Sequence, residues 1–160
     1  MIKIGIDPSG TGTTSIVVYE DNKLTKKLEF TNKDWINHAN KIRRYKFISL
    51  FNPDEYMFNI EDCLYTSINA SKDRDDLLRL LGAIENKLNE LKIKFNWVSP
   101  KHTKSIVKNI ENLSKYNDSC LWEFDKDTNL TYQYGKGWFY NNEKISHHIR
   151  DAIIIANYKG

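Results

Sequence analysis

The first thirty residues alternate apolar and polar positions in the manner of β-strands. An apolar run at 2–6 ends in Asp7, a turn rich in glycine and threonine follows, and a second apolar run occupies 15–19. A turn at 20–23 then leads into a third run at 24–30. Three consecutive strands joined by tight connections are therefore predicted, with Asp7 at the end of the first.

Beyond residue 30 the apolar spacing changes to a helical period that alternates with short strands. A helix is predicted from Thr31, with Asp34 in a capping-box position, and Asn52-Pro53 ends it. A strand at 55–60 follows and ends at Glu61. The next helix starts near Ser71, with aspartates in its first turn, where the helix dipole favours negative charge. Its apolar stripe consists of Leu77, Leu81, Ile84, Leu88 and Leu91, and we favour packing of this stripe on the sheet over a dimer seam. Extra apolar residues at Leu78 and Leu80 widen the stripe, so that one helix could serve both roles.

The remaining elements complete a mixed α/β pattern. A strand at 95–98 precedes a helix opened by Ser99-Pro100, and a last helix begins at Ser146, a natural N-cap. A hairpin followed by strand–helix–strand crossovers predicts a mixed five-stranded sheet with its first three strands antiparallel. We expect helices on both faces of this sheet, within a single domain that spans residues 1–160.

Residues 112–142 have no clear period and are rich in aromatic residues. Trp122 and Phe124 alternate on one side of 125–129, and Leu130, Tyr132 and Tyr134 alternate on the other, which suggests a hairpin. Aromatic residues interleaved with lysine can stack on nucleic-acid bases. Packing of a loop against the core is the commoner role of such residues, and we favour it here.

Composition limits the class of protein. A chain of 160 residues with 40% apolar residues is long enough to bury a normal core. No run approaches the roughly 20 apolar residues of a membrane span, and the N-terminus lacks a signal-peptide pattern, so a cytoplasmic protein is expected. Cys63 and Cys120 are far apart in sequence, and free thiols are expected.

The net charge of +3 does not by itself indicate nucleic-acid binding. Basic residues cluster at two places, Lys41, Arg43, Arg44 and Lys46, and Lys101, Lys104 and Lys108. Either cluster taken alone is best read as a solvated surface.

Three acids occupy the ends of predicted elements. Asp7 ends the first strand, Glu61 follows the fourth, and Asp151 lies near the start of the last helix, three residues after His148. Asp7 alone is equally compatible with a turn cap and with a metal ligand. Three converging carboxylates repel one another unless cations lie between them, and Mg²⁺ or Mn²⁺ suits such oxygen ligands. Two ions about 3.5–4 Å apart are the arrangement that cleaves phosphodiesters.

Four segments, 4–8, 59–62, 99–104 and 148–152, resemble in order the landmarks of RuvC-type Holliday junction resolvases. The resemblance implies an RNase H-like fold, a homodimer, and paired nicks across a four-way DNA junction. It implies two Mg²⁺ or Mn²⁺ ions held by Asp7, Glu61, Asp151 and His148, the last at a position where the family has Asp or His. It also puts Lys104 at the catalytic lysine of the family, and Gly82 where the central helix packs closely.

DNA contacts are expected on the same grounds from Lys101, Lys104 and Lys108. The family often has an aromatic wedge three residues after the glutamate, and Leu64 stands there with Tyr65 beside it. The turn at 8–12 is a variant of the usual one, and 112–142 does not resemble the bacterial pattern. We therefore expect a divergent, phage-type member.

The mechanistic hypothesis assigns Asp7 as the bridge between two ions. Glu61 lies on one side, and His148 and Asp151 lie on the other. An activated water attacks the phosphorus in line and leaves a 5′-phosphate and a 3′-hydroxyl, while Lys104 offsets the developing charge. A histidine ligand favours Mn²⁺ over Mg²⁺.

Three other functions remain open. Gly5-Ile6-Asp7 followed by Gly12-Thr13-Thr14 also resembles the first phosphate loop of sugar kinases and actin-like ATPases, although those proteins need two such domains. A DNA-binding module without catalysis would keep Lys104 and the aromatic residues but not the acids. A less selective nuclease of flaps and other branched DNA would have the same motifs as a junction resolvase.

Overall fold

A computed structural model of the chain describes residues 1–45, 52–64, 71–114, 120–121 and 127–159. In chain order its elements are β1 (Ile2–Asp7), β2 (Thr13–Glu20), β3 (Lys23–Thr31), α1 (Trp35–Arg44), a 3-10 turn (Pro53–Glu55), β4 (Tyr56–Glu61), α2 (Lys72–Glu90), β5 (Lys94–Val98), α3 (Pro100–Ser114), β6 (Cys120–Leu121), β7 (Leu130–Gln133), β8 (Gly137–Tyr140), β9 (Glu143–Lys144) and α4 (His147–Ala156). None of the described helices combines the length and apolarity needed to cross a membrane.

The central sheet has five strands in the order β3-β2-β1-β4-β5. β1, β2 and β3 are antiparallel to one another, whereas β4 and β5 run parallel to β1. The predicted mixed sheet with three antiparallel strands first is confirmed. Because Ile6 pairs with Ile60, the strand ends that carry Asp7 and Glu61 lie side by side.

The two faces of the sheet bury different helices. One face packs against α1 and α2, and its strand residues include Ile4, Ile6, Ile16, Val18, Phe58 and Ile60. The opposite face packs against α3, α4 and a second sheet, through residues such as Val17 and Tyr19. The alternation of Ile16, Val17 and Val18 between the faces follows from the two-residue period of a strand. The expectation of helices on both faces is thus confirmed.

The last helix, α4, crosses directly over β1. A Cβ added at Gly5 would lie 2.7 Å from the Cβ of Ala156 and would overlap the carbonyl oxygen of Ala152. The Asn59 side-chain amide donates to the Ala156 carbonyl at 3.1 Å, which ties the end of α4 to β4. Glycine at position 5 therefore permits the close approach that brings the start of α4 to the ends of β1 and β4.

Helix starts follow the predicted caps in two cases out of three. Ser71 accepts from the Arg74 amide at 3.2 Å, and Ser146 accepts from the Ile149 amide at 3.1 Å, as predicted. The predicted start at Thr31 was wrong. Thr31 ends β3, and its hydroxyl bonds to that of Thr13 at 2.7 Å, so Asp34 caps α1 instead. Residues 46–51, and with them Lys46, lie outside the described part of the chain.

The predicted stripe of α2 largely enters the core. Leu81, Ile84 and Leu88 are buried together with Leu80, and Leu77 and Leu91 are partly buried. Leu78 is 43% exposed. A Cβ at Gly82 would meet no atom within 4 Å in the described part of the chain, so no described residue packs closely at this position.

The aromatic-rich segment forms a second, antiparallel sheet in the order β6-β7-β8-β9. β6 pairs with β7 on either side of the predicted 125–129 turn, although Trp122 and Phe124 lie outside the described residues. The two later hairpins were not predicted. Trp138 and Tyr140 are buried against α4, which agrees with the packing role favoured above, whereas Tyr134 is 56% exposed.

Candidate active site

Asp7 and Glu61 occupy the same edge and the same face of the central sheet. Each is the last residue of its strand, and β1 and β4 are parallel neighbours. Gly5 and Asn59, two residues earlier, both contact α4. Since side chains two apart in a strand share a face, Asp7 and Glu61 point toward α4, which carries His148 and Asp151.

Asp7 is buried, with 8% of its surface exposed. Its Oδ2 lies 3.4 Å from Nδ1 of His148. Burial raises the pKa of Asp7, and the charge of Asp151 raises it further, whereas the hydrogen bond from His148 opposes the shift. The carboxylate thus has one cationic partner and is otherwise surrounded by other acids.

Glu61 is the acid most affected by this crowding. Burial, followed by the charges of Asp7 and Asp151, raises the pKa of Glu61 to about 8. The nearby Thr103 hydroxyl on α3 acts in the opposite direction and lowers this pKa. Near neutral pH the carboxyl therefore retains its proton for much of the time, and a cation between the acids would release it.

His148 is half exposed at the mouth of the site. Its hydrogen bond with Asp7 is the main cause that raises its pKa, and Asp7, Glu29 and Asp151 add electrostatic attraction. When it is protonated, His148 is a counter-charge for Asp7.

The partner of Asp151 is a residue that sequence reasoning missed. Nε of Arg150 donates to Oδ1 of Asp151 at 2.8 Å. Arg150 is itself 9% exposed. A charged residue on the buried stripe of α4, one position from a predicted ligand, was the signal that could have identified it.

A groove of about 300 Å³ opens beside these acids. Its walls are formed by Glu61, Thr103, Lys104, Val107, Lys108, Glu111, Arg150 and Asp151. Two of the predicted DNA-contacting lysines, Lys104 and Lys108, thus share a cavity with two of the predicted ligands. Lys101 lies exposed one turn earlier on α3 and does not line this groove.

The predicted wedge position lies in a different groove. Leu64 lines a cavity of about 440 Å³ together with Pro8, Thr11 and residues at the start of α2. Tyr65 lies outside the described residues. The wedge assignment of Leu64 or Tyr65 therefore stays a prediction.

The turn after Asp7 is held by its own side chains. The Gly12 amide donates to Oγ of Ser9 at 2.9 Å, and the Ser9 amide donates to Oγ1 of Thr14 at 3.0 Å. Thr14 in turn bonds to Nδ1 of the buried His38 at 2.8 Å. These amides, which a phosphate loop would offer to its ligand, are already engaged.

The donor set fits Mg²⁺ or Mn²⁺ in its chemistry. Carboxylate oxygens suit both ions, and one imidazole is compatible with Mn²⁺. Among the described residues, no three His, Cys, Asp or Glu side chains are drawn together as a finished metal site. Asp7 is paired with His148, and Asp151 with Arg150, while Glu61 is left to hold a proton. The repulsion that keeps a proton on Glu61 is the feature that a divalent cation would relieve.

Comparison with known proteins finds similarity at the level of structure. No family model and no curated protein sequence matches this chain. The structure of T. thermophilus RuvC in complex with a Holliday junction substrate matches with a TM-score of 0.61 and 15% identity, over 98% of this chain and 90% of that chain. The chain has a RuvC-like fold. A second Thermus thermophilus RuvC structure matches with a TM-score of 0.55 and 14% identity, over 98% of this chain and 91% of that chain.

The RuvC-like fold confirms the fold expected from the four sequence segments. Identities of 14–15% concern the fold and not the activity. The ligand roles of Asp7, Glu61, His148 and Asp151, and the phage-type affiliation, therefore stay predictions.

Proposed function

We propose that this protein is a metal-dependent, structure-specific DNA endonuclease that resolves Holliday junctions by paired symmetric nicks. The observation that carries the proposal is the convergence of Asp7, Glu61 and Asp151 beside a groove walled by Lys104 and Lys108. Acids that repel one another next to lysines suit a site that takes a divalent cation and a phosphodiester. The junction substrate bound by the similar T. thermophilus RuvC supports branched DNA as the ligand.

Asp7, Glu61, His148 and Asp151 would hold two Mg²⁺ or Mn²⁺ ions. When bound, these ions neutralise the phosphodiester and activate water for attack. His148 must release the proton that it holds against Asp7 before it can act as a ligand, so metal affinity should rise with pH. Lys104, in the groove wall, would stabilise the charge that develops on the phosphate.

The basic side of α3 would contact the DNA backbone. Lys101, Lys104 and Lys108 are spaced by three and four residues, so they lie along one side of the helix. Lysines in this arrangement position phosphates without reading sequence. Leu64, near the end of β4, would lie closer to the centre of the junction than these lysines do.

The homodimer remains part of the proposal, and the outer face of α2 supports it. Exposed Leu78 lies one helical turn from Gly82, which offers open space for a neighbouring side chain. Leu78→Glu should convert the dimer to a monomer in sedimentation equilibrium. A dimer that persists with Glu at this position would put the interface elsewhere.

The deciding experiment compares a synthetic four-way junction with a flap and a plain duplex, each with Mg²⁺ and with Mn²⁺. Symmetric paired nicks in the junction alone are expected. Equal cleavage of the flap would favour the broader branched-DNA nuclease, and no cleavage of any substrate would contradict the proposal. His148→Asp is a matched variant that should shift the metal preference from Mn²⁺ toward Mg²⁺.

The two remaining alternatives have less support. An ATP-binding role would need free amides in the turn after Asp7, and the Ser9 and Gly12 amides are engaged. A DNA-binding module without catalysis would have no reason to group Glu61 and Asp151 with a buried Asp7. Measurable ATP binding would revive the first of these alternatives.

A further inference from the structure

Arg150 is a buried cation next to the proposed catalytic acids. Only 9% of its surface is exposed, although it lines the groove with Glu61 and Asp151. Arginine is almost never buried unless its charge is paired. The position therefore requires specific partners, and they lie on three sides.

Two hydrogen bonds and one ring contact hold the guanidinium group. Nε donates to Oδ1 of Asp151 at 2.8 Å, and an Nη donates to Nδ1 of His147 at 2.8 Å. The group also lies over the Trp138 ring, 5.1 Å from its centroid. Because arginine has no acceptor, His147 must accept at Nδ1 and carry its own proton on Nε2.

Trp138 supplies a rigid platform from the second sheet. It is 1% exposed, and the Tyr132 ring packs 5.0 Å from it. Its indole Nε1 has no hydrogen-bond partner among the described residues, so the ring is held by packing alone. The contact with Arg150 thus links the second sheet to the proposed metal site.

We propose that Arg150 is a positioning residue of the metal site. Fixed by Trp138 and His147, it holds one oxygen of Asp151 and would leave the other oxygen free to bind a metal ion. This inference rests on the proposed function for the presence of the ion. Groups that orient a metal ligand in this way commonly control metal affinity.

The competing role for Arg150 is direct contact with the DNA phosphate. The two roles predict opposite effects on metal binding in the absence of DNA. If Arg150 acts only as a cation in the groove, its removal reduces repulsion of the metal ion and tightens binding. If it positions Asp151, its removal weakens binding.

The test is titration of the DNA-free protein with Mn²⁺, followed by calorimetry and by the paramagnetic resonance of free Mn²⁺. Arg150→Gln should weaken Mn²⁺ binding about tenfold or more. Arg150→Lys should also weaken it, because an ammonium group cannot bridge Asp151 and His147 as the planar fork does. Trp138→Leu, which leaves the arginine in place, should give a smaller loss. Arg79→Gln, which removes an exposed arginine paired with Asp76 on α2, is the matched control and should leave Mn²⁺ affinity unchanged.

Unchanged or tighter Mn²⁺ binding by Arg150→Gln would overturn the inference. If circular dichroism shows that Arg150→Gln does not fold, Arg150→Lys and Trp138→Leu provide the test instead. Wild-type Mn²⁺ affinity in both of these variants would also overturn the inference. A wild-type protein that binds Mn²⁺ with this dependence on Arg150 but cuts no junction contradicts the proposed function alone. A wild-type protein that binds no Mn²⁺ contradicts both.

Discussion

Asp7 and Asp127 are two buried aspartates in very different surroundings. Their exposed fractions are 8% and 7%. Oδ2 of Asp127 accepts from the hydroxyls of Tyr19 at 2.6 Å and Tyr140 at 2.8 Å, while Oδ1 accepts from the backbone and side-chain amides of Asn129. Asp7 has His148 at 3.4 Å and lies beside the carboxyl groups of Glu61 and Asp151.

The comparison shows that burial of an acid does not by itself indicate function. Four donors surround Asp127, so its buried charge is satisfied and joins the second sheet to β2. At Asp7, burial and then the charge of Asp151 raise the energy of the charged form, and this environment suits a cation. Substitutions at the two aspartates should therefore separate catalysis from stability.

The largest effect is expected from Asp7→Asn. Loss of the carboxylate that is proposed to bind metal should reduce junction cleavage at least about a thousandfold, equivalent to about 4 kcal/mol of barrier. Junction binding, measured by gel shift in Ca²⁺, should stay within about threefold, because the lost charge was repelling the phosphates. The metal-site assignment would fail if binding and cleavage fell together.

Asp127→Ala should instead affect stability. Two buried tyrosine hydroxyls would lose their acceptor, and the free energy of unfolding from urea titration should fall by about 3 kcal/mol. Folded protein should still cleave junctions at low temperature. Asp21→Asn is the control, at an aspartate with a 92% exposed side chain and a positive φ that asparagine tolerates, and should change stability by less than about 0.5 kcal/mol. A stable Asp127→Ala variant without cleavage would remove the distinction drawn between the two aspartates.

The acids of the candidate site could be found from the sequence because each ends a regular element. Asp7 and Glu61 close apolar runs, and His148 and Asp151 follow a serine cap. These signals are local in the sequence, and the parallel pairing of β1 and β4 brings Asp7 and Glu61 close together. The start of α1 was mispredicted because Thr31 favoured pairing with Thr13 over capping.

The roles of Asp127 and Arg150 could not be predicted from the ends of regular elements in this way. Strands of two to four residues, such as β8 (Gly137–Tyr140), are too short for a period to emerge. Turn signals were nevertheless present, since Gly135 and the pair Asn141-Asn142 adopt positive φ. The partners of Asp127 come from positions as far away as Tyr19, and such long-range pairing leaves no local pattern.

The pH dependence of the free energy of unfolding should reflect the burial and grouping of acids around Asp7. The pKa of Glu61 is raised to about 8, mainly by burial, and is near 4.5 in the unfolded chain. Between these values the folded state holds the extra proton, so stability without metal should fall as pH rises from 4.5 to 8. Glu61→Gln should flatten this slope in urea titrations at pH 5 and pH 8.

Addition of Mn²⁺ is the matched control for the pH experiment on Glu61. Mn²⁺ at pH 8 should restore the stability of the wild type, because a cation between the acids replaces the lost proton. Mn²⁺ should have little effect on Glu61→Gln at millimolar concentration. A wild-type slope that Mn²⁺ does not alter would mean that the acids do not converge on a metal.

The smallest expected effect concerns the donors of Asp127. Burial, followed by the hydrogen bond to Asp127, raises the pKa of Tyr140 to about 12. An unfolded tyrosine ionises near pH 10, so stability should decline as pH rises from about 10 to 12. Tyr140→Phe should lose about 1 kcal/mol at pH 7 through one hydrogen bond and should show a weaker alkaline decline. Tyr134→Phe, at an exposed tyrosine, is the control in urea titrations at pH 7 and pH 11. If Tyr140→Phe kept the full alkaline decline, Tyr19, the other donor to the same oxygen, would have to account for it.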